Sequence, residues 1–252
     1  MKAMLLAAGR GERMRPLTDH TPKPLLLAGG KPLIVWHLEK LAAAGFTEAV
    51  INCAWLGEQL PSRLGDGRAF GLDLHYSIET QALETAGGIA QALPQLQQGM
   101  PEQSPFAVIS SDIWSDADYA CLHQAATPIR AGRRDCWCLM VENPPHHQRG
   151  DFLLNGEDLR LAPAQTSPHP GQPALTYAGI GVFSPRMFSG LAAGTRSPLR
   201  PWLEQAISAG RAAGSRHPGR WFDIGTPARL DELNQLLGKP HRPAPDHVPL
   251  AK

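Results

Sequence analysis

Short apolar runs rich in Leu, Val and Ile alternate with helical patterns through the first half of the 252-residue chain. This alternation is typical of βαβ units, which build a mostly parallel sheet with helices on its faces. The predicted strands are residues 3–8, 49–52, 73–78 and 106–109, and the predicted helices are residues 33–44, 86–93 and 117–126. These units predict an α/β fold with a doubly wound core.

The pattern changes after Asp135, where strand-like runs are joined by polar, Pro-rich loops. The predicted strands are residues 136–141, 152–154, 159–161 and 175–183, followed by amphipathic helices at residues 199–209 and 227–237. We predict one domain over residues 1–238, with a first half up to about residue 134 and a capping half from about residue 135. The Pro-rich tail, residues 239–252, lacks apolar periodicity and is predicted to be disordered.

The charge of the chain is balanced, with 24 Lys and Arg against 23 Asp and Glu. Such a chain has no strong field to attract a nucleic acid or an anionic membrane, so any phosphate site must be local. No stretch approaches the roughly 20 apolar residues of a membrane span, and the N-terminal apolar run is too short for a signal peptide. The four cysteines lack the paired spacing of zinc sites. We expect a cytoplasmic protein with reduced cysteines, and the sequence makes no prediction of its oligomeric state.

A glycine-rich loop follows the first predicted strand. Gly9 and Gly11 allow a tight turn that brings backbone N–H groups close to an anion. A dinucleotide-binding fingerprint is excluded because its third glycine would fall at Met14, and because the second strand ends in Asn52 without an acid for a ribose. A P-loop is excluded because no Gly-Lys-Ser/Thr follows. The loop therefore predicts a phosphate site of another kind.

Further motifs continue from this loop along the chain. They are Gly9-Arg10-Gly11-Glu12-Arg13, Pro16-Leu17-Thr18, Thr21-Pro22-Lys23-Pro24-Leu25, Leu83-Glu84-Thr85-Ala86-Gly87-Gly88, Ser111-Asp112, Asn143, Gly150-Asp151-Phe152, Tyr177-Ala178-Gly179-Ile180-Gly181-Val182-Phe183 and Trp221-Phe222-Asp223-Ile224-Gly225-Thr226-Pro227. Together they resemble the signature of the sugar-nucleotide pyrophosphorylase superfamily. The resemblance extends over nearly the whole chain up to Leu237.

The resemblance implies a Rossmann-like, doubly wound mixed sheet of the nucleotidyltransferase type, which is similar to the glycosyltransferase-A fold. Since the chain lacks hexapeptide repeats, no C-terminal β-helix is expected. Within the superfamily the chain is most similar to the short N-acetylmuramate 1-phosphate uridylyltransferases of cell-wall recycling. This implies Mg²⁺-dependent transfer of UMP from UTP to N-acetylmuramic acid 1-phosphate, giving UDP-N-acetylmuramic acid and pyrophosphate. It also implies a nucleotide-binding first half and a sugar-binding capping half.

Two classes of alternative remain open at this stage. The first is another transferase of the same fold, acting on glucose 1-phosphate, mannose 1-phosphate or phosphocholine, because the N-terminal signature is common to all of them. The second is a catalytically silent sensor of sugar nucleotides. The presence of Arg13, Lys23, Asp112 and Asp223 argues against the sensor, because a pure binding protein does not need the whole set.

Two cations are the predicted catalytic residues, since phosphoryl transfer depends on positioning and on neutralising charge. The resemblance implies that Arg13 binds the leaving β,γ-phosphates and that Lys23 reaches the α-phosphate or the sugar phosphate. Taken alone, either side chain would be read as solvated surface charge. Pro22 and Pro24 flank Lys23 and stiffen the backbone there, which favours the functional reading.

Two carboxylates are the predicted metal ligands. Asp112 follows a buried strand, at the edge where doubly wound sheets bind ligands, although local sequence would equally allow a helix cap before residue 117. Asp223 precedes a Gly-Thr-Pro turn and could simply be a turn residue. The resemblance implies that both hold one Mg²⁺, whose shell the substrate phosphates complete.

The remaining predicted site residues also come from the resemblance. The nucleotide-binding set is Ala8, Gly9, Gly11, Glu12, Arg13, Lys23, Gln81, Gly87, Gly88 and Ser111, and the sugar-binding set is Asn143, Gly150, Asp151, Tyr177 and Gly179. Gly87 and Gly88 would offer backbone contacts to a pyrimidine edge. The alternatives are a loop entering a helix for Gln81 and ordinary turn chemistry for Asn143, Gly150 and Asp151. Many relatives have Gly at the position of Glu84, so this loop departs from the common pattern.

Overall fold

The computed structural model describes residues 1–162 and 173–238. Its helices and strands, in chain order, are β1 Ala3–Leu6, β2 Leu27–Ala28, β3 Lys31–Pro32, α1 Leu33–Ala43, β4 Glu48–Cys53, α2 Gln59–Leu64, β5 Asp73–Ile78, α3 Glu84–Gln97, β6 Phe106–Ser110, β7 Ile113–Ser115, α4 Cys121–Arg130, β8 Cys136–Val141, β9 Phe152–Asn155, β10 Asp158–Leu161, β11 Thr176–Phe183, α5 Arg200–Ser208, β12 Ala212–Arg216, β13 Trp221–Asp223 and α6 Pro227–Leu236. The tail for which disorder was predicted, residues 239–252, lies outside the described residues.

One mixed sheet of nine strands forms the centre of the described structure, in the order β5-β4-β1-β6-β11-β8-β12-β10-β9. The strands β5, β4, β1 and β6 are parallel neighbours, which is the doubly wound arrangement that the βαβ pattern predicts. β11 then runs antiparallel to both β6 and β8. The predicted mixed α/β sheet is therefore confirmed, and the sheet continues without a break from the first half of the chain into the capping half.

Helices cover both faces of this sheet. Successive strand residues point to opposite sides, so the buried strands place apolar side chains on both faces. In β1, Ala3 and Leu5 pack in one buried cluster with α1 and α4, whereas Met4 packs in the other cluster with α3 and α5. Cys136 and Cys138 are packed in that second cluster. Cys53 is also buried, Cys121 is half-buried, and all four cysteines are free. None of the helices in the described ranges is long and apolar enough to cross a membrane.

A third, smaller cluster connects the N-terminal loop to the C-terminal helix. Met14, Trp114 and Ile224 pack there with Leu230 and Leu233 of α6. Thr226 caps α6, its hydroxyl accepting from Arg229 N–H, and Pro227 opens the helix as predicted. This cluster anchors the segment around Asp223 against the loop that carries Arg13.

Some predicted boundaries were wrong. The helix predicted from residue 117 begins at Cys121, because Ser115 and Asp118 accept hydrogen bonds from the nearby backbone and form turns. Asp112 is therefore not a helix cap. The helix predicted at residues 86–93 is longer at both ends and continues past Pro94 to Gln97. The two-stranded ribbon β7–β13 and the strand β12 were missed, since they depend on pairing with distant segments.

Candidate active site

A cleft lies at the carboxyl ends of β1 and β6 and has two connected lobes. The first lobe, of about 340 Å³, is lined by Leu6, Ala7, Ala8, Gly9, Lys23, Pro24, Asn52, Ala82, Glu84, Thr85, Ser110, Ser111, Asp112 and Arg196. The second lobe, of about 560 Å³, is lined by Leu6, Arg13, Thr85, Ser110, Asp112, Ile113, Pro144, His146, His147, Asp151, Phe152, Thr176, Tyr177, Gly179, Leu199, Arg200, Leu203, Trp221 and Asp223. Both lobes share Leu6, Thr85, Ser110 and Asp112, so Asp112 lies where they meet.

The glycine loop forms one wall of the first lobe. An added Cβ at Gly9 would meet nothing within 4 Å, so the backbone there faces open space. Gly11 has a φ of +67°, and a Cβ there would lie 3.1 Å from Thr18 and 3.3 Å from Lys23. The loop can thus adopt this turn and lie against Lys23 only with glycine at position 11. Glu12 is exposed and does not line either lobe, whereas Arg13 reaches the second lobe.

Lys23 is a buried lysine at the start of a short 3₁₀ helix, with Pro22 before it and Pro24 after it. Its Nζ donates to Asp112 Oδ2 at 2.6 Å. The Asp112 side chain is 46% exposed, so the ion pair faces the cleft rather than the core. A cation and a carboxylate predicted from segments far apart in the sequence are therefore in direct contact at the junction of the lobes.

Asp112 and Asp223 are brought together by the β7–β13 ribbon. Asp223 pairs with Ile113 in the antiparallel register, and Ile224 N–H donates to Asp112 O at 2.8 Å. Both carboxylates line the second lobe. Asp112 Oδ1 and Asp223 Oδ2 accept no hydrogen bond within the described residues, so one oxygen of each is free to meet a cation.

The sequence did not predict two neighbours of the Asp223 carboxylate, Arg229 and His146. Arg229 Nη1 donates to Asp223 Oδ1, and His146 Nε2 lies 3.0 Å from the same oxygen. A Cβ added at Gly225 would come within 2.7 Å of Arg229 and 3.3 Å of Arg13, so both guanidinium groups lie beside this turn. The side of the cleft next to Asp223 is thus lined by cations. The only available signal was the position of Arg229 in the first turn of α6.

A buried polar chain behind the first lobe also escaped prediction. Ala7 N–H donates to Asn52 Oδ1 at 2.8 Å, and Asn52 Nδ2 donates to Glu79 Oε1 at 2.7 Å. Glu79 Oε2 accepts from Leu83 N–H at 2.9 Å. Burial raises the pKa of Glu79, although the hydrogen bonds it accepts oppose the shift. This chain connects the glycine loop to the segment that leads into α3.

The predicted base-recognition segment forms the start of α3. A Cβ on Gly87 would lie 2.3 Å from Thr195 O, and one on Gly88 would lie 2.7 Å from the Asn52 and Glu79 side chains, so packing already requires both glycines. Gly87 N–H donates to Ser197 O. Gln81 is exposed and does not line the first lobe. Their binding roles stay predictions.

Glu84 adopts a φ of +60°, in the left-handed region that favours glycine. A glycine would adopt this region without strain. Here the Glu84 carboxylate pairs instead with Arg196, at 2.8 Å, beside the first lobe. Ser111, predicted for nucleotide binding, lines this lobe, and its hydroxyl donates to Leu6 O.

The predicted sugar-side residues differ in their placement. Asp151, Tyr177 and Gly179 line the second lobe. Asn143 and Gly150 do not: Asn143 Nδ2 donates to Ala174 O and Gln148 O, and its Oδ1 accepts from Thr176. Gly150 has a φ of +65° and packs closely against Ala174 and Asn143. This pair shapes the loop that carries Asp151, and direct sugar contacts from either residue stay a prediction.

The nucleotidyl transferase family matches residues 2–239 of the chain. The chain belongs to this family. It is 48% identical to an N-acetylmuramate α-1-phosphate uridylyltransferase of Neisseria meningitidis serogroup B, over 94% of this chain and 99% of the relative. It is 34% identical to an enzyme of the same name from Caulobacter vibrioides, over 89% of this chain and 92% of the relative. These similarities confirm the resemblance drawn from the motifs and support a uridylyltransferase activity.

A solved structure supports the fold independently. A protein of Bacillus anthracis, described as a glucose-1-phosphate thymidylyltransferase in complex with sucrose, superposes with a TM-score of 0.79 at 21% identity. The match covers 94% of this chain and 95% of that one. At this identity the likeness concerns the fold alone. It agrees with a mixed sheet of the nucleotidyltransferase type.

A divalent cation fits the two carboxylates that line the second lobe. In the described part of the chain, no group of three or more His, Cys, Asp or Glu side chains could hold a metal by itself. Mg²⁺ does not require such a group, since it favours one or two carboxylates and completes its octahedral shell with water and substrate phosphates. The free oxygens of Asp112 and Asp223 are hard ligands of this kind.

Proposed function

We propose that this chain transfers UMP from UTP to N-acetylmuramic acid 1-phosphate, giving UDP-N-acetylmuramic acid and pyrophosphate. The position of the Lys23–Asp112 pair, at the junction of two lobes, is the observation that carries the transferase chemistry. The choice of uracil and muramate is supported by the 48% and 34% identity to two enzymes of that name. The reaction would serve cell-wall sugar recycling in the cytoplasm, where nucleoside triphosphates are available.

The two lobes suit two substrates that react at their junction. We assign the first lobe to UTP, because Gly9 leaves open space beside the loop backbone and Ala82, Glu84 and Thr85 line the same lobe. We assign the second, larger lobe to the sugar phosphate. Both substrates then present a phosphate near Lys23 and Asp112. Holding reactants in this way converts a bimolecular reaction into an effectively unimolecular one.

The chemistry is in-line attack of a sugar phosphate oxygen on the α-phosphorus of UTP. A new P–O bond forms while the bond to the β-phosphate oxygen breaks, and pyrophosphate carries the displaced charge away. A phosphate monoester is already anionic at neutral pH, so no general base is needed. Lys23 would stabilise charge that develops at the α-phosphorus, and Arg13 would bind the departing phosphates.

Asp112 and Asp223 would hold one Mg²⁺, which supplies charge neutralisation for the reacting phosphates when it is bound. Each carboxylate keeps one oxygen free for that purpose. Arg229, which donates to the other oxygen of Asp223 and also lies 2.8 Å from His146 Nε2, would fix the orientation of this carboxylate. Metal ligands in proteins are usually oriented in this way by hydrogen bonds from neighbouring side chains.

A substrate matrix tests the proposal. Initial rates of pyrophosphate release would be measured for four nucleoside triphosphates against N-acetylmuramic acid, N-acetylglucosamine and glucose 1-phosphates, with phosphocholine and CTP as a further pair. We expect the highest kcat/KM for UTP with the muramate. A value for any other pair that equals or exceeds it refutes the substrate assignment but leaves the transferase chemistry standing. Absence of pyrophosphate release from every pair would instead favour the silent sensor.

A further inference from the structure

The second lobe contains a cation that the transfer chemistry does not use. Arg200, at the first position of α5, lines this lobe together with Leu199 and Leu203. Its ion-pair partners are Asp151, at 3.2 Å, and Glu204, at 2.8 Å. The cations of the transfer centre lie elsewhere in the cleft, where Lys23 contacts Asp112 and Arg229 contacts Asp223. Arg200 is thus a separate positive charge facing the sugar side.

The Arg200 guanidinium is positioned and still has donors to offer. Nε donates to Glu204 and Nη1 donates to Asp151, while Cζ lies 5.1 Å from the centre of the Phe152 ring. Nη2 donates to no atom of the described residues. A guanidinium carries five N–H donors in a planar fork that matches a carboxylate. Two contacts therefore orient the group and leave part of the fork free.

The Asp151 carboxylate pairs with the Arg200 guanidinium instead of pointing into the open part of the lobe. Its Oδ2 accepts from Tyr177 N–H at 2.9 Å, and its Oδ1 faces both Arg200 and His147 at 3.2 Å. Both carboxylate oxygens are therefore engaged by the protein. Such an arrangement holds Arg200 at the wall of the lobe, and it makes Asp151 a positioning residue.

We propose that Arg200 determines acceptor specificity by binding the lactyl carboxylate of N-acetylmuramic acid 1-phosphate. This inference rests on the proposed function. The muramate acceptor carries two anionic groups, its phosphate and the carboxylate of its lactyl ether, whereas glucose and N-acetylglucosamine 1-phosphates carry only the phosphate. A lobe that selects the muramate needs a cation away from the transfer centre, and Arg200 is that cation. The apolar side chains of Leu199 and Leu203 suit the lactyl methyl group.

The test varies the carboxylate and the cation together. Initial rates with UTP would be measured for N-acetylmuramic acid 1-phosphate, its lactyl carboxamide and N-acetylglucosamine 1-phosphate, using wild type, Arg200→Gln and Arg200→Lys. Arg160→Gln is the matched control, because the Arg160 side chain is 54% exposed like that of Arg200, pairs with an aspartate and lies outside both lobes.

We expect Arg200→Gln to lose about 10- to 100-fold in kcat/KM for the muramate, the range for one hydrogen bond to a charged group. The loss should appear mainly in KM, since the carboxylate is remote from the reacting phosphorus. Rates with the carboxamide and with N-acetylglucosamine 1-phosphate should change less than about 3-fold, because the coupling is confined to the removed pair. Arg200→Lys should recover part of the loss, and Arg160→Gln should behave as wild type.

Each other outcome has a definite meaning. Equal losses on all three acceptors would show that Arg200 supports the fold of the lobe, which overturns the inference. A wild-type preference for the muramate that Arg200→Gln retains would also overturn it, while the proposed function stands. If wild type itself does not prefer the muramate, the proposed function fails first and the inference falls with it.

Discussion

We expect the buried His37 of α1 to make the stability of the protein depend on pH. The imidazole is fully buried, its Nε2 lies 2.8 Å from Ile113 O and its Nδ1 lies 2.7 Å from the Tyr119 hydroxyl. Because a carbonyl oxygen only accepts, Nε2 carries the proton and Nδ1 accepts from Tyr119. The neutral ring is therefore satisfied on both sides. Burial lowers the pKa of His37 from 6.5 to about 4, with Ile113 O opposing and Lys40 adding to the shift.

The sign and size of the effect follow from this pKa. The unfolded chain takes up a proton on His37 below about pH 6.5, whereas the folded chain does so only near pH 4. Stability from the neutral ring is thus fully present above pH 6.5 and is lost as the pH falls through the folded pKa. At 1.36 kcal/mol per pKa unit the whole loss is about 3 kcal/mol, and about 2 kcal/mol of it occurs between pH 7.5 and pH 5.

Urea unfolding at pH 7.5 and pH 5, in EDTA, measures this loss. Between the two values, wild type should lose about 2 kcal/mol more unfolding free energy than His37→Gln, which cannot titrate there. For a chain of this length that corresponds to a difference of roughly 4–8 °C in Tm. His20→Gln removes an exposed histidine and should keep the wild-type pH dependence. Equal losses in wild type and His37→Gln would refute the reasoning.

The remaining predictions concern the cleft. Asp112→Asn and Asp223→Asn should each abolish Mg²⁺-dependent turnover, while the circular dichroism spectrum and Tm stay near those of wild type. Near-normal turnover in either variant would exclude a metal-binding role for that residue. EDTA should abolish the activity of wild type until Mg²⁺ is restored. Lys23→Ala and Arg13→Ala should each lose on the order of 10²-fold or more in rate, and the loss should be larger for Lys23→Ala. If Lys23→Ala changed KM alone, Lys23 would bind the ground state of the substrate without stabilising the transition state. Glu79→Gln turns an amide N–H group toward one of the two buried donors, Asn52 Nδ2 or Leu83 N–H. The free energy of unfolding in a urea titration should therefore fall by about 1–3 kcal/mol. An unchanged midpoint would count against a role of the buried polar chain in stability.

The elements of the core could be predicted because their signals are local. β5 and β8 have the predicted bounds, since β5 alternates polar with apolar residues and β8 is a short apolar run. The positions of Lys23 and Asp112 in the cleft also followed from local order, because each lies beside a strand end or a proline-stiffened turn. Their contact could be expected only from the resemblance, since 89 residues separate them in the chain.

What the sequence could not predict depends on contacts between distant segments. Strands of three residues, such as β7 and β13, have too little pattern of their own, and the ribbon exists because Asp223 and Ile113 pair across 110 residues of sequence. Arg229 and Arg200 look like ordinary charges in the first turn of a helix. Only the packing of α5 and α6 against the cleft brings Arg200 to Asp151 and Arg229 to Asp223.

This division between local and distant contacts also separates the two halves of the chemistry. The first lobe is built largely from contiguous motifs around Gly9 and Lys23, so the nucleotide-binding role proposed for it could be predicted from the order of those motifs in the sequence. The second lobe takes its wall from β9, β11 and α5, which meet only in the folded chain. Acceptor choice can therefore change through substitutions on those elements while Lys23 and Asp112 stay in place. We expect a substitution of Arg200 on α5 to be the first of these changes that alters the choice of acceptor.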